Sequence, residues 1–397
     1  MAHANTSNFL VSESHLALSD VRNQKAEKLK NVGEPLQLPG KAVAVEVLGN
    51  HVWVADNTTV ARKIELESGK TLQVYSGHRG PVSAIAFWTK TFGETTRTIL
   101  VTGSWDKTKQ LISSTDSHSD FVKSLFVYPS LNLLVSGSSD KIVRFWDLTD
   151  TLDGQPLKSA GSISSHTRPV ECLGGRVGED GSVELCTGDT MGIINLWTLT
   201  KEDTSPPRWK SSLKQQFKHH RTKITELKYV SGQLWTASLD ETVQVVDLSS
   251  AESGNPSTPA SIQHPTGVRC ILPIGLTDLA EPYLITGSSD ILRVYDVTSL
   301  KEPELINEID AHWHDVTAIR LWIRKTMADD GITRVEPWVI STSLDGTIRK
   351  WKLSDLLTPK LKVAANPKQP SDPKDGQEGS NALTAEEEAE LAELMDD

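Results

Sequence analysis

The sequence predicts an all-β repeat fold, and three observations carry that prediction. First, an Asp flanked by short apolar runs recurs at intervals of 34 to 55 residues: Asp56, Asp106, Asp140, Asp189, Asp240, Asp290 and Asp345. A period of that size marks a repeat architecture. Second, the clearest copy, residues 133–148, reads as a hairpin. Leu133, Val135 and Gly137 alternate as in a strand, Ser138-Ser139-Asp140-Lys141 is a turn of short polar side chains, and Ile142-Val143-Arg144-Phe145-Trp146 is the returning strand. The hairpin recurs at 100–106, 284–290 and 339–345. Third, His78, His118, His166, His220, His264 and His312 each precede a β-branched residue by four positions (Val82, Val122, Val170, Ile224, Val268, Val316), and each of those opens another strand.

These residues resemble the WD-repeat β-propeller family, whose unit of about 40–45 residues has four strands, Gly-His early and Trp-Asp late. Here Gly77-His78 and Trp146-Asp147 are the intact pairs, and degraded ones stand at Val246-Asp247, Tyr295-Asp296, Trp197-Thr198 and Trp351-Lys352. The resemblance covers about residues 34–357. It implies a seven-bladed β-propeller, with the N-terminal Leu36-Gln37-Leu38 completing a last blade that stops one strand short after Trp351. It also implies a buried network in which His118, Ser136 or Ser138, Asp140 and Trp146 join in the third blade. His312, a Ser or Thr among 341–343, Asp345 and Trp351 would join in the seventh. A buried carboxylate requires such partners, so these residues read as structure and not as catalysts. Blades with Ile112, Val246 or the long Asp189–Trp197 spacing in place of the pattern, and the first blade, which lacks the His, are expected to rely on packing.

Along the chain, residues 1–33 read as an arm or as a short helix capped at Ser19-Asp20, running through Lys30 and stopped by Gly33. The propeller is expected over 34–357, with long loops at 90–97, 151–160, 249–262 and 324–336, where specificity tends to reside. Within it, 208–223 holds Arg208, Lys210, Lys214, Lys218, Arg221 and Lys223 and no acid, with Trp209 and Phe217 interleaved. That is a patch for phosphates or bases, or an outer strand with Trp209, Leu213 and Phe217 packed and the lysines solvated; the strand is the preferred reading. Residues 358–380 read as a disordered linker, because three prolines, two glycines and few apolar groups at 364–380 bury no core. Residues 381–397 follow as a short acidic C-terminal helix, opened by the capping box Thr384-Ala-Glu-Glu387. Its Leu391, Leu394 and Met395, with Glu387 and Glu390, are candidates for docking in a partner's groove; the competing reading is a solubilising acidic tail.

The 397 residues carry 41 basic and 52 acidic side chains, net −11, and the tail supplies seven of those charges. Three cysteines, Cys172, Cys186 and Cys270, lack the spacing of a zinc site and read as small buried hydrophobes of a reducing compartment. No apolar run approaches a membrane span, and the N-terminus lacks the pattern of a secretory signal. Phosphate loop, nucleophile elbow and metal-ligand helix are missing, and the first strands offer mostly Val, Ile, Ala and Leu toward a central channel. The expectation is a non-enzymatic scaffold, without cofactor or metal, in cytoplasm or nucleus. It would bind other proteins through propeller faces and the acidic tail, without homo-oligomerising through the propeller. An RNA-processing or ribosome-assembly complex is the first reading of its setting. Ubiquitin-dependent turnover is the alternative, disfavoured because Trp146-Asp147-Leu148 is followed by Thr149 where cullin-type receptors carry Arg. Direct RNA binding ranks third.

Overall fold

A computed structural model describes residues 13–358, except 93–94, 107, 111–113, 117, 150–155, 205–206, 249–259 and 328–332. The described residues form seven four-stranded antiparallel sheets, each made from consecutive strands except the last. They span 42–75, 82–116, 122–163, 170–217, 224–263, 268–310 and 316–352, and are called blades 1 to 7. The fold is an all-β propeller with few helices: the first strands of successive blades neighbour one another, and that of blade 7 neighbours that of blade 1. Strand alternation drives this, since each blade buries apolar residues on both faces against the next. One cluster joins blades 3 and 4 through Phe145, Leu173, Trp197 and Trp209, and another joins blades 7 and 1 through Trp322, Trp338, Val45 and Val52.

In blade 7 the outer position is taken by Leu36–Gln37, with Leu36 opposite Ile348 and Gln37 opposite Thr347. Leu38 N–H donates to Gly346 and Lys350 N–H to the carbonyl of Gly33. Gly33 sits at φ +70°, and a Cβ there would strike the Trp351 ring. A glycine is therefore required where the chain turns out of helix α1 (Glu13–Lys28). The helix begins before Ser19, so Ser19 and Asp20 lie inside it and do not cap it. A second helix, α2 (Leu353–Leu357), packs Leu353 and Leu356 beside the outer strand of blade 6, where Asn307 donates to the carbonyls of Leu356 and Thr358.

Two of the expected loops are strand. Val82–Phe92 with Thr95–Ser104, and Val316–Met327 with Thr333–Ser343, are hairpins whose first and second strands pair almost to their tips. Near the end of the second hairpin Lys325, Thr333 and Arg334 are exposed beside exposed Met327 and Val335, so the period-2 signal is weak there and the stretch reads as loop. Both tips lie at the same end of the propeller, because each joins a first to a second strand. The other two expected loops contain the starts of outer strands, Lys158–Ile163 and Ala260–Gln263. Among the described residues no helix is long and apolar enough to cross a membrane. The linker from residue 359 onward, and the acidic segment with Glu387, Glu390, Leu391, Leu394 and Met395, lie outside the described residues.

Candidate interaction surface

The Asp turns lie at the end opposite the hairpin tips, and in blades 2, 3, 5 and 7 the loop His meets its turn Asp there. In blade 3, His118 Nδ1 lies 2.9 Å from Asp140 Oδ2 and Nε2 lies 2.8 Å from Ser136 Oγ, which accepts from Trp146 Nε1–H at 3.0 Å. Blade 7 repeats this with His312, Asp345, Ser341 and Trp351 at 2.8, 2.9 and 2.9 Å. One assignment satisfies all three contacts: neutral imidazole donates from Nδ1 to the carboxylate, the hydroxyl donates to Nε2, and indole donates to the hydroxyl. The carboxylates are further saturated by backbone N–H groups, Ser119 and Ile142 on Asp140, Thr347 on Asp345. Burial alone would raise the Asp345 carboxyl, but His312 and Thr347 outweigh it and hold it below its ordinary range. Burial pushes His312 down despite Asp345. These side chains have no spare valence for chemistry; they lock turns.

The degenerate blades are less dependent on packing than expected. His78 still reaches Asp106 (3.1 Å) and Thr102 (2.8 Å), and His220 reaches Asp240 (3.1 Å) and Thr236 (2.8 Å), so blades 2 and 5 keep the His–Asp–Thr core. The hydroxyl sits on the second strand and survives loss of the third-strand Trp. In blade 4 His166 and Trp197 share Thr187, while the longer turn lets Asp189 take the N–H groups of Met191 and Ile193. Blade 1 replaces its missing His with Arg62, whose Nε is 3.0 Å from Asp56 Oδ2. Blade 6 departs in the other direction. His264 contacts the Ile262 carbonyl and Thr286, and Asp290 is held instead by Lys25 of α1 at 2.7 Å, which also pairs with Asp310. Arg349 binds the carbonyls of Leu29 and Val32 just beyond that helix.

Every first strand carries a one-residue bulge directly after its opening apolar residue, leaving Val43, Ser83, Lys123, Glu171, Thr225, Arg269 and Thr317 unpaired in the ladder. A bulge re-aims a side chain, and all seven line a central cavity of about 590 Å³. The expected apolar channel is charged. Arg320 spans it, its Nη1 3.0 Å from Glu226 and its Nη2 3.1 Å from Glu46, while Lys228 lies 3.0 Å from Glu226. Glu226 also accepts from Ile271 N–H at 2.8 Å. Burial alone would weaken the Arg320 charge, and Glu46 and Glu226 reverse that. Seven charged residues on six of the first strands line it, Glu46, Lys123, Glu171, Glu226, Lys228, Arg269 and Arg320, each set in a strand that is otherwise largely apolar.

At the end that carries the Asp turns the propeller exposes apolar side chains on segments that are otherwise polar. Trp105 is 40% exposed and stacks on Phe121, 37% exposed, with ring centroids 5.2 Å apart and planes 23° apart. Lys123, a bulge residue, places its ammonium 5.7 Å above the Trp105 ring. Met191 is 50% and Leu239 37% exposed. Trp105 and Leu239 directly precede their turn Asp, where blades 3 and 6 carry Ser139 and Ser289. A large apolar residue at a position that takes Ser elsewhere in the repeat was the available signal, and counting Asp and His passed over it.

The basic strand folds as the outer strand of blade 4, Arg208–Phe217. Trp209 and Phe217 are buried, but Leu213, expected to pack, is 52% exposed, because the register shifts at Leu196/Trp197 and leaves Lys214 as the extra residue. Lys214 pairs with Glu184, Lys210 with Glu202 and Lys223 with Glu171, and Arg221 binds the Asp240 carbonyl. Arg208 lies at the strand's start and Lys218 just beyond its end. Four of the six cations are thus engaged by acidic or carbonyl partners of the protein itself. Cys172, Cys186 and Cys270 are buried free thiols, and no metal-ligand cluster occurs among the described residues.

The WD40 family model (WD domain, G-beta repeat) matches residues 69–108 and 109–147. Each match begins before an outer strand and ends within the third strand of the next blade, so the sequence repeat is offset from the blade. The chain is also 28% identical, over 99% of both lengths, to an uncharacterised WD repeat-containing protein of Schizosaccharomyces pombe. The chain is a WD-repeat β-propeller protein. A shorter likeness, 38% over 14% of this chain and 11% of the other, links this WD-repeat protein to the nuclear distribution protein PAC1 of Candida tropicalis. Among solved structures it resembles the computationally designed protein Ika8, with TM-score 0.53 and 19% identity over 79% of this chain and 83% of that one. That likeness concerns the fold alone.

Proposed function

We propose that this WD-repeat protein is a non-enzymatic protein-interaction scaffold within a multiprotein assembly, and that it engages partners on the end of the propeller that carries the Asp turns. In this reading the seven sheets form one ring closed by Leu36–Gln37, so the turns are held at fixed spacing. The observation that carries it is the row Trp105, Phe121, Met191 and Leu239. At this end one of them stands on each of blades 2 to 5, three on Asp turns whose carboxylates are already locked from behind and Phe121 on a His loop. Exposed aromatic and Met side chains on a rigid base are the composition of an interaction surface. The His–Asp pairs are engaged in bracing turns and the channel charges pair with one another, which supports the non-enzymatic reading.

Affinity purification with mass spectrometry tests this with three chains: the full chain, the Trp105→Ser/Phe121→Ser variant, and a deletion of 381–397. The double variant is expected to lose most specific partners while keeping its thermal midpoint. An unchanged partner set would remove this face from consideration, and a loss confined to the tail deletion would move the interaction to the acidic segment.

A further inference from the structure

Resting on that scaffold reading, we infer that the segment docking on blades 2 to 4 is an acidic peptide carrying an aromatic or long aliphatic residue. The anchor would pack on the stacked pair Trp105 and Phe121, whose rings offer an exposed rim without needing to reorganise. The charge preference follows from what surrounds them. Lys123 stands over the Trp105 ring. Arg79, Lys141 and Arg168, on the His loop of blade 2, the Asp turn of blade 3 and the His loop of blade 4, are all exposed at this end of the propeller.

The acids of the same arc are spent. Asp106 accepts from His78 and from Arg79 N–H, and Asp140 from His118, Ser119 N–H and Ile142 N–H. Asp120 accepts from Phe121 N–H, and Glu171 pairs with Lys223. The carboxylates therefore turn toward the protein while the cations turn outward, so an overall acidic chain presents a basic arc here. Such an arc steers and orients an acidic partner, and the apolar pair supplies the buried anchor that charge alone does not. A single-stranded nucleic acid would also find cations and rings. However, Trp105 and Phe121 cover one face of each other, and Met191 and Leu239, next along the arc, offer no stacking plane.

The test is selection of a displayed library of random dodecapeptides on the full chain, with Trp105→Ser and Lys123→Glu as counter-selections and a uridine decamer as a parallel probe. Enriched sequences are expected to place at least two Asp or Glu within four positions of a Trp, Phe or Leu. A synthetic copy of such a peptide should bind about tenfold more weakly to either variant, and more weakly to the wild type in high salt. Enrichment of neutral or basic peptides that still depend on Trp105 would overturn the acidic partner and leave the docking face standing. Peptides indifferent to Trp105→Ser would overturn both. Binding of the uridine decamer lost in Trp105→Ser, with no enriched peptide, would replace a protein partner by RNA. Trp105 and Lys123 lie at the surface, and a melting curve matching wild type for Lys123→Glu separates loss of binding from loss of fold.

Discussion

Asp345 and Asp290 occupy equivalent turns and have different partners, which makes them a controlled comparison. The Asp345 side chain is 0% exposed and answers to His312, Thr347 and two backbone N–H groups; that of Asp290 is 26% exposed and answers to Lys25. Truncating one member of a buried charged network strands the rest, costing about 3–5 kcal/mol. A partly exposed ion pair contributes about 1 kcal/mol or less. Asp345→Ala should therefore shift the urea midpoint several times further than Asp290→Ala, and equal shifts would mean the His loop does not brace the turn. The histidines add a pH dependence of fixed sign. Burial holds His264 and His219 down at about 4, and lowers His166, His220 and His312 as well. In the unfolded chain these rings titrate near 6.5. Between pH 6.5 and 4 the unfolded state takes up protons that the folded state refuses, so stability falls as pH falls through that window. Calorimetry across pH 7.5 to 4.5 should show a declining midpoint, with a shallower decline in His264→Gln; a flat profile would contradict neutral, buried rings.

At the scale of elements, the N-terminal segment does two separable jobs. Leu36–Gln37 supplies the outer strand of blade 7, while α1 contributes Lys25, and the turn after it contributes buried Leu29 and the carbonyls that Arg349 binds. A chain lacking 1–30 should stay monomeric with a lowered thermal midpoint. A chain lacking 1–39 exposes the third-strand edge at Thr347–Lys352 and buried Ile348, and an open apolar edge invites pairing between molecules. Size exclusion with light scattering distinguishes the two; identical monomers would show that the strand is dispensable. These elements also mark what was legible in the sequence. Hairpins around Asp140 and Asp345 announce themselves, because alternation and turn chemistry are local. The offset of His118 or His312 is legible because a loop of fixed length must deliver the ring to a fixed turn. Lys25 to Asp290 spans 265 residues, and nothing in a helix with only a thin apolar stripe names its target. Arg62 replacing a His, and the bulges at Lys123 and Lys214, are matters of register that composition does not record.

For the whole molecule, Arg320 is the contact that a blade-by-blade account omits. It lies on blade 7 and binds Glu46 of blade 1 and Glu226 of blade 5, while Glu226 also holds the backbone of Ile271 in blade 6. Four of the blades are thus coupled across the channel as well as around the rim. Adjacent blades are joined by large apolar clusters, so the ring would hold without this bridge, but its blades would be freer to unfold one at a time, as nearest-neighbour repeats do. Removing Arg320 leaves two carboxylates facing each other in a confined space with only Lys228 to compensate. Arg320→Ala should cost about 3 kcal/mol. Its unfolding should also broaden, because the cross-channel link that makes distant blades melt together is gone. Replacing the pair, Arg320→Met with Glu226→Gln, removes both charges yet keeps an acceptor for Ile271 N–H, and should return to within about 1 kcal/mol of wild type. The breadth of the transition, read as the ratio of calorimetric to van't Hoff enthalpy, is the discriminating quantity. If the double variant regains stability but stays broad, the bridge couples the blades. If Arg320→Ala melts as sharply as wild type, the apolar faces alone make the propeller cooperative.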